Sequence, residues 1–354
     1  MKEKVYLMCL LLLAYSCLTA QAAGWNWAVS AGSDLTDRGW AVDRDAQGNV
    51  YICGEFRGSA NFGSNTLNSL GGADIFVAKL DAAGNWLWVS QAGSSTDDVA
   101  YDIAVDASGN TYITGAYRNG AVFGSTTLTA TGSSTNIFVA KLDANGNWLW
   151  AIHAGMGNDN DEGRSLTLDG SGNAIVTGCF RGSANFGSLA ITSNGEDDIF
   201  VAKTSSGGNW LWAKQAGGVE QDRVYGVTLD SGGNIWLTGL YNSTATFGDT
   251  NLTSMGGSDI FVAKLDFSGN WLWAKSAGGI QPDEGRDLVC SPSGGAYLCG
   301  SFWGNASFGS TTLAGAGRYD TFVAALDGAG NWLWASSAGG TLTDRAYGIG
   351  LDAG

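Results

Sequence analysis

The chain has one histidine and two prolines in 354 residues, and only 18 lysines and arginines against 33 aspartates and glutamates. A single histidine removes most histidine-based catalysis. The formal charge of −15 argues against nucleic acid or an anionic membrane as partner, because neutralising phosphates takes clustered Lys and Arg. No stretch of helical periodicity competes with the strand patterns described below. Glycine, by contrast, is abundant: its 55 residues are about twice the usual share of roughly 7%. With an ordinary hydrophobic share of 44%, the chain is neither a disordered polyelectrolyte nor a collagen, and it is expected to fold.

The first residues read as a secretory signal peptide over 1–23. Lys2 and Lys4 form a basic start, Val5 to Ala14 an apolar run too short to span a bilayer, and Ala20-Gln21-Ala22 a small-residue cleavage site. The expectation is a secreted or cell-surface protein with a mature charge of −16 and no transmembrane segment. Cys17 lies in a poor lipoprotein context. Cys53, Cys179, Cys290 and Cys299 are too irregularly spaced for a disulfide framework or a C-x-x-C metal site, and read as isolated strand residues.

Internal repetition organises everything else. GNWLW recurs at Gly84, Gly146, Gly208, Gly269 and Gly330, a spacing of 61 or 62 residues, and Gly24-Trp25-Asn26-Trp27 is a degenerate copy. Four stretches per unit alternate as strands do, over 101–106, 111–117, 137–143 and 147–152 in the second copy. Turns such as Asp143-Ala144-Asn145-Gly146-Asn147 place Asp where it accepts backbone N–H bonds and Gly or Asn where φ is positive. D-x-x-G-N is therefore read as a tight hairpin, since it lacks the dense carboxylates of a calcium loop. The pattern predicts an all-β fold, a β-propeller of 61–62-residue four-stranded repeats, five complete copies with partial copies at both ends, as one domain over 24–354. A β-solenoid is the alternative architecture.

Asp259 to Asp266, the AGG after it, and Ile103 to Gly115 resemble the SBBP (seven-bladed β-propeller) repeat family of secreted and surface bacterial proteins. The resemblance implies the fold and brings no catalytic motif. Five complete copies differ from the family's seven, and the final Leu351-Asp352-Ala353-Gly354 stands inside a turn that other copies continue. Either truncation or assembly with another copy would accommodate that.

Strand parity puts the D-x-x-G-N turns at one end of every unit and longer, variable links at the other, where binding residues are expected. Candidate residues at that end are Asp37, Asp97, Asp161, Asp222, Asp283 and Asp344, joined by Arg57, Arg118 and Arg181, with Asn242 and Trp303 in later copies. Two readings of the aspartates compete: a rim of carboxylates for a cation or polar ligand, or loop caps bonded to backbone N–H groups. Asp159, Glu162 and Glu284 leave room for weak calcium binding, and no other cofactor is expected. The tryptophan pairs, such as Trp86 and Trp88, are expected to face one neighbouring blade together and cement it. His153 occupies a place held by Gln91 and Gln215 and reads as a surface residue. The sequence thus predicts a non-enzymatic protein whose loop face binds a glycan or surface protein. A passive surface spacer is the main alternative, and a polysaccharide- or peptide-acting enzyme a lesser one. Oligomeric state is not legible.

Overall fold

The structure is a computed structural model and describes residues 26–130, 134–155 and 159–352. The predicted signal peptide lies outside them. Every regular element among the described residues is a strand. In the second copy Val99–Val105, Thr111–Tyr117, Asn136–Leu142 and Trp148–Ala154 form an antiparallel sheet in chain order, within two residues of the expected bounds. The copies before and after it build the same four-strand core.

Turn chemistry fixes the pairing. Asp143 Oδ1 accepts the N–H groups of Asn145 and Asn147, both at 2.9 Å, and Gly146 takes φ of 84°. The bond from Asn147 Nδ2 and these backbone donors hold the Asp143 carboxyl below its ordinary range. The F-x-G-x-A-x-F-G link, which the sequence presents as a connector, is a second hairpin. In the third copy it pairs Ser183–Phe186 with Leu189–Thr192 and buries Phe186 at 4.9 Å from the Trp210 ring and 5.0 Å from Phe200.

The apolar cores lie between consecutive sheets. Ile137 and Val139 of the second sheet pack with Leu166, Val176 and Phe200 of the third. Ile199 and Val201 of the third pack with Leu237 and Phe261 of the fourth. Central strands are therefore buried on both faces, and burial of this kind contributes about 25 cal/mol per Å² of apolar surface. The outer faces of the series are less covered: Val42 is 67% exposed where Ile103 and Leu288 are 4% and 3% exposed, and Val323 is 38% exposed where Val262 is fully buried.

The tryptophan pairs depart from the sequence expectation. Trp88 donates its indole N–H forward to Ala144 O of the next sheet at 3.1 Å, whereas Trp148 donates back to Gln91 O of the preceding one at 3.2 Å. The two rings of a pair thus face opposite neighbours. A bulge causes this: Leu80 pairs with Trp86 and Lys79 with Trp88, so Leu87 is the extra residue and strand alternation flips across it. Leu87 is 51% exposed.

The first strands of successive sheets lie side by side. Asp102 Oδ2 accepts Leu166 N–H at 2.7 Å and Ser165 Oγ–H at 2.9 Å, tying the second sheet to the third. Asp287 Oδ2 accepts Ile349 N–H at 2.9 Å in the same manner. Asp102 also feels the charge of Asp287, three copies away.

Candidate functional site

At the link-bearing end an aspartate opens the first strand of each unit and serves as a hub. Its Oδ1 accepts the N–H of the residue 20 positions on: Arg57 for Asp37, Arg118 for Asp98, Arg181 for Asp161, Asn242 for Asp222 and Trp303 for Asp283. Its own N–H donates to the preceding sheet, as from Asp222 to Asp197 O and from Asp344 to Tyr319 O, both 2.7 Å. The Oδ2 of Asp37, Asp222, Asp283 and Asp344 accepts the backbone N–H four residues back, at 2.6–2.8 Å. These carboxylates are turned into the protein and bonded to its backbone.

One predicted position is off by a residue. Asp98 is the hub of the second copy, and Asp97 is half-exposed, accepting Ala73 N–H at 2.8 Å and pairing with Arg57 at 3.1 Å. Adjacent aspartates in Asp97-Asp98 hide the register, because sequence spacing alone fits either. The Ala73 bond is the main cause holding the Asp97 carboxyl below its usual range, whereas burial pushes Asp98 up to about 6 and Asp222 and Asp283 up to about 7.

Each hub gathers positions at which the copies differ. The residue after it is Arg38, Val99, Glu162, Arg223, Glu284 or Arg345, and two residues further stand Trp40, Tyr101, Arg164, Tyr225, Arg286 and Tyr347. Before the third strand come Ala73, Thr135, Asp197, Ser258 and Tyr319. Guanidiniums and rings alternate among the inner strands: Arg164 lies 4.4 Å from the Tyr101 ring, and Arg286 lies 4.3 Å from Tyr225 and 5.5 Å from Tyr347. Comparing copies for where they disagree would have found these residues in the sequence; attention to what recurs passed over them.

Between the third and fourth sheets this arrangement opens a polar cavity of about 340 Å³ lined by Asp159, Glu162, Arg164, Arg181, Asp197 and Arg223. Asp197 receives Arg181 Nε at 2.9 Å, Gln221 Nε2 at 2.7 Å and Arg223 Nη2 at 3.3 Å, and Arg164 pairs with Glu162. Of the predicted residues, Arg181 lines this cavity and is held by its N–H on Asp161, whereas Trp303 stands apart, just beyond Phe302 of the fifth sheet. Among the described residues no three His, Cys, Asp or Glu side chains converge as a metal-ligand set. His153 shares a 3.0 Å hydrogen bond with the Tyr117 hydroxyl.

The opposite end is more uniform, although Ser291 and Ala325 replace its Asp and Lys in the fifth copy. Lys79, Lys141, Lys203 and Lys264 each reach the turn aspartate of their own sheet, Asp45, Asp106, Asp169 and Asp230, at 2.9–3.8 Å.

Repeating sheets, adjacent first strands and hairpin links are the parts of a propeller blade, and one stretch of the chain matches a family model. Residues 87–116 match the SBBP beta-propeller repeat. This SBBP stretch runs from the last strand of the first sheet to the second strand of the next. Among curated proteins, the chain is 22% identical over 422 residues to an uncharacterized WD repeat-containing protein of Acanthamoeba polyphaga mimivirus, covering 92% of this chain and 30% of that protein. It is 26% identical over 141 residues to the regulatory protein FlaEY of Caulobacter vibrioides, covering 39% of this chain and 15% of FlaEY. The chain therefore spans less than a third of either relative. Among solved structures, similarity extends to a protein of unknown function from Bacteroides caccae at 14% identity and TM-score 0.33, over 74% of this chain and 90% of that one. YCF48 bound to D1 peptide follows at 13% identity and TM-score 0.35, over 85% of each chain.

Proposed function

We propose that this propeller is an exported, non-enzymatic binding protein that engages a polar partner, a glycan or surface protein, through its link-bearing end. One observation carries the reading. Positions that vary between otherwise similar copies are drawn together at that end by the hub aspartates, while the opposite end repeats one Lys–Asp arrangement in the first four copies. A specific surface needs unlike neighbours, and only this end supplies them. The hubs hold the links and the residues they present do the recognising. Its guanidiniums and carboxylates suit a partner rich in hydrogen-bonding groups.

The test is binding of the chain to arrayed glycans and surface-protein fragments, with Arg181→Ala/Arg223→Ala against Asp81→Ala at the opposite end. Loss in the first variant alone is expected. Equal binding by both variants and the parent would take the binding surface away from this end, and no binding at all would favour a passive spacer. Consumption of any arrayed compound would overturn the non-enzymatic part.

A further inference from the structure

The fifth sheet carries a cluster that no other copy repeats. Trp303 stands where other copies have Arg57, Arg118, Arg181 and Asn242, Tyr319 where they have Ala73, Thr135, Asp197 and Ser258, and Arg318 directly precedes it. Their hub-bonded backbones bring three separate departures together. The Trp303 and Tyr319 rings lie 5.9 Å apart, inclined at 46°, and both are part-exposed. Arg318 lies 5.5 Å from the Trp303 ring and Arg345 lies 4.7 Å from the Tyr319 ring. Two arginines therefore flank a pair of aromatic rings along one strip.

Charge separates this strip from the neighbouring cavity. Arg286 and Arg345 share the one carboxylate of Glu284, at 2.7 and 3.5 Å, and Arg318 has no ion pair among the described residues. Asp344 Oδ2 accepts the Gly340 N–H. Three guanidiniums thus outnumber the acids that face them, in a chain whose net charge is −15. In the cavity between the third and fourth sheets, by contrast, Asp159, Glu162 and Asp197 match Arg164, Arg181 and Arg223.

We infer that Trp303, Tyr319, Arg318 and Arg345 form a subsite for an acidic sugar, a uronate-type residue of a polysaccharide. This rests on the loop-end binding reading above and names its ligand class. The inclined rings offer apolar faces to the C–H side of a pyranose, and a guanidinium fork matches a carboxylate in two parallel hydrogen bonds. A polyphosphate chain fits less well, since it has no apolar pyranose face to lay against the Trp303 and Tyr319 rings.

Calorimetry with a polygalacturonate oligomer and its methyl ester provides the test, because esterification removes the charge and keeps the rings. The acid is expected to bind at least about tenfold more tightly than the ester at low salt, and the difference to shrink as salt rises. Trp303→Ala should weaken both ligands. Arg318→Ala, an exposed change that leaves the core untouched, should abolish the preference for the acid. Equal affinity for acid and ester, indifference to both variants, or no binding overturns the inference. Arg181→Ala/Arg223→Ala should leave uronate binding intact. If uronate fails while that double variant still loses an arrayed partner, the subsite falls and the loop-end reading stands.

Discussion

Asp259 Oδ1 and Asp283 Oδ2 converge over Gly278. A Cβ there would lie 2.7 Å from the first oxygen and 2.9 Å from the second, so only glycine, at φ of 147°, leaves them room. Asp259 Oδ1 is buried with no hydrogen-bond partner. Asp198 with Asp222 and Asp74 with Asp98 are the corresponding pairs, and in each the charge of the first aspartate adds to burial in raising the second. In the second copy Asn136 takes the place of the first aspartate and lies with Asp161 beside Gly155. An amide resembles a protonated carboxyl, so the exchange suits a pair that keeps one proton.

Stability should therefore fall as pH rises from about 4 to 7. Burial raises Asp74, Asp98, Asp198 and Asp259 to about 6, and Asp222 and Asp283 to about 7, from an ordinary 3.8. Between those values the folded chain holds more protons than the unfolded one, and each proton lost on raising the pH destabilises the fold. Turn aspartates such as Asp143 and Asp266 are lowered, so their contribution disappears as pH drops below the ordinary value. Thermal midpoints should peak between about pH 4 and 5 and be lower at pH 8. Asp259→Asn should flatten the alkaline limb; a midpoint that climbs from pH 5 to 8 in the parent would refute the assignment.

Removing the inter-sheet carboxylate should cost more than its exposed counterparts. Asp102 is part-buried and accepts the N–H groups of Ile103 and Leu166 and the Ser165 hydroxyl. Asp102→Ala leaves buried donors unsatisfied and should destabilise by about 1–3 kcal/mol in urea unfolding. Ala41 and Gly226 at the equivalent position show that the alanine backbone is tolerated. An unchanged unfolding midpoint would mean that the desolvation of Asp102 cancels its bonds.

Gly239→Ala tests close backbone approach. Its Cβ would sit 1.9 Å from Arg223 O and 2.8 Å from Phe261 Cε1. The cause is the bulge at Tyr225, which pushes the Arg223 carbonyl over the second strand. A loss of roughly 3 kcal/mol or more, or failure to fold, is expected from overpacking of this severity. Gly207→Ala, with no atom nearer than 3.8 Å, is the control and should be nearly neutral. Similar expression and melting of the two variants would count against the close contact.

Much of the fold was legible because its determinants are local. The strand at 111–117 was placed to the residue, and the turn at Asp143 formed the bonds that its D-x-x-G-N spelling implies. The short hairpin at Ser183–Phe186 was missed because two-to-four-residue strands carry too little alternation to register. Arg57, Arg118 and Arg181 were correctly placed on the links, yet their contact with the hub required a pairing 20 residues apart.

The sequence by itself determined the period, the strands, the turns and the end of each unit that carries variable links, since all of these depend on neighbours within a few residues. Tertiary structure alone decided that Asp98 rather than Asp97 is the hub, that a bulge sends Trp86 and Trp88 to opposite sides, and that Trp303, Arg318 and Tyr319 meet. Those outcomes depend on register and on packing between sheets, where a shift of one residue reverses the face that a side chain occupies.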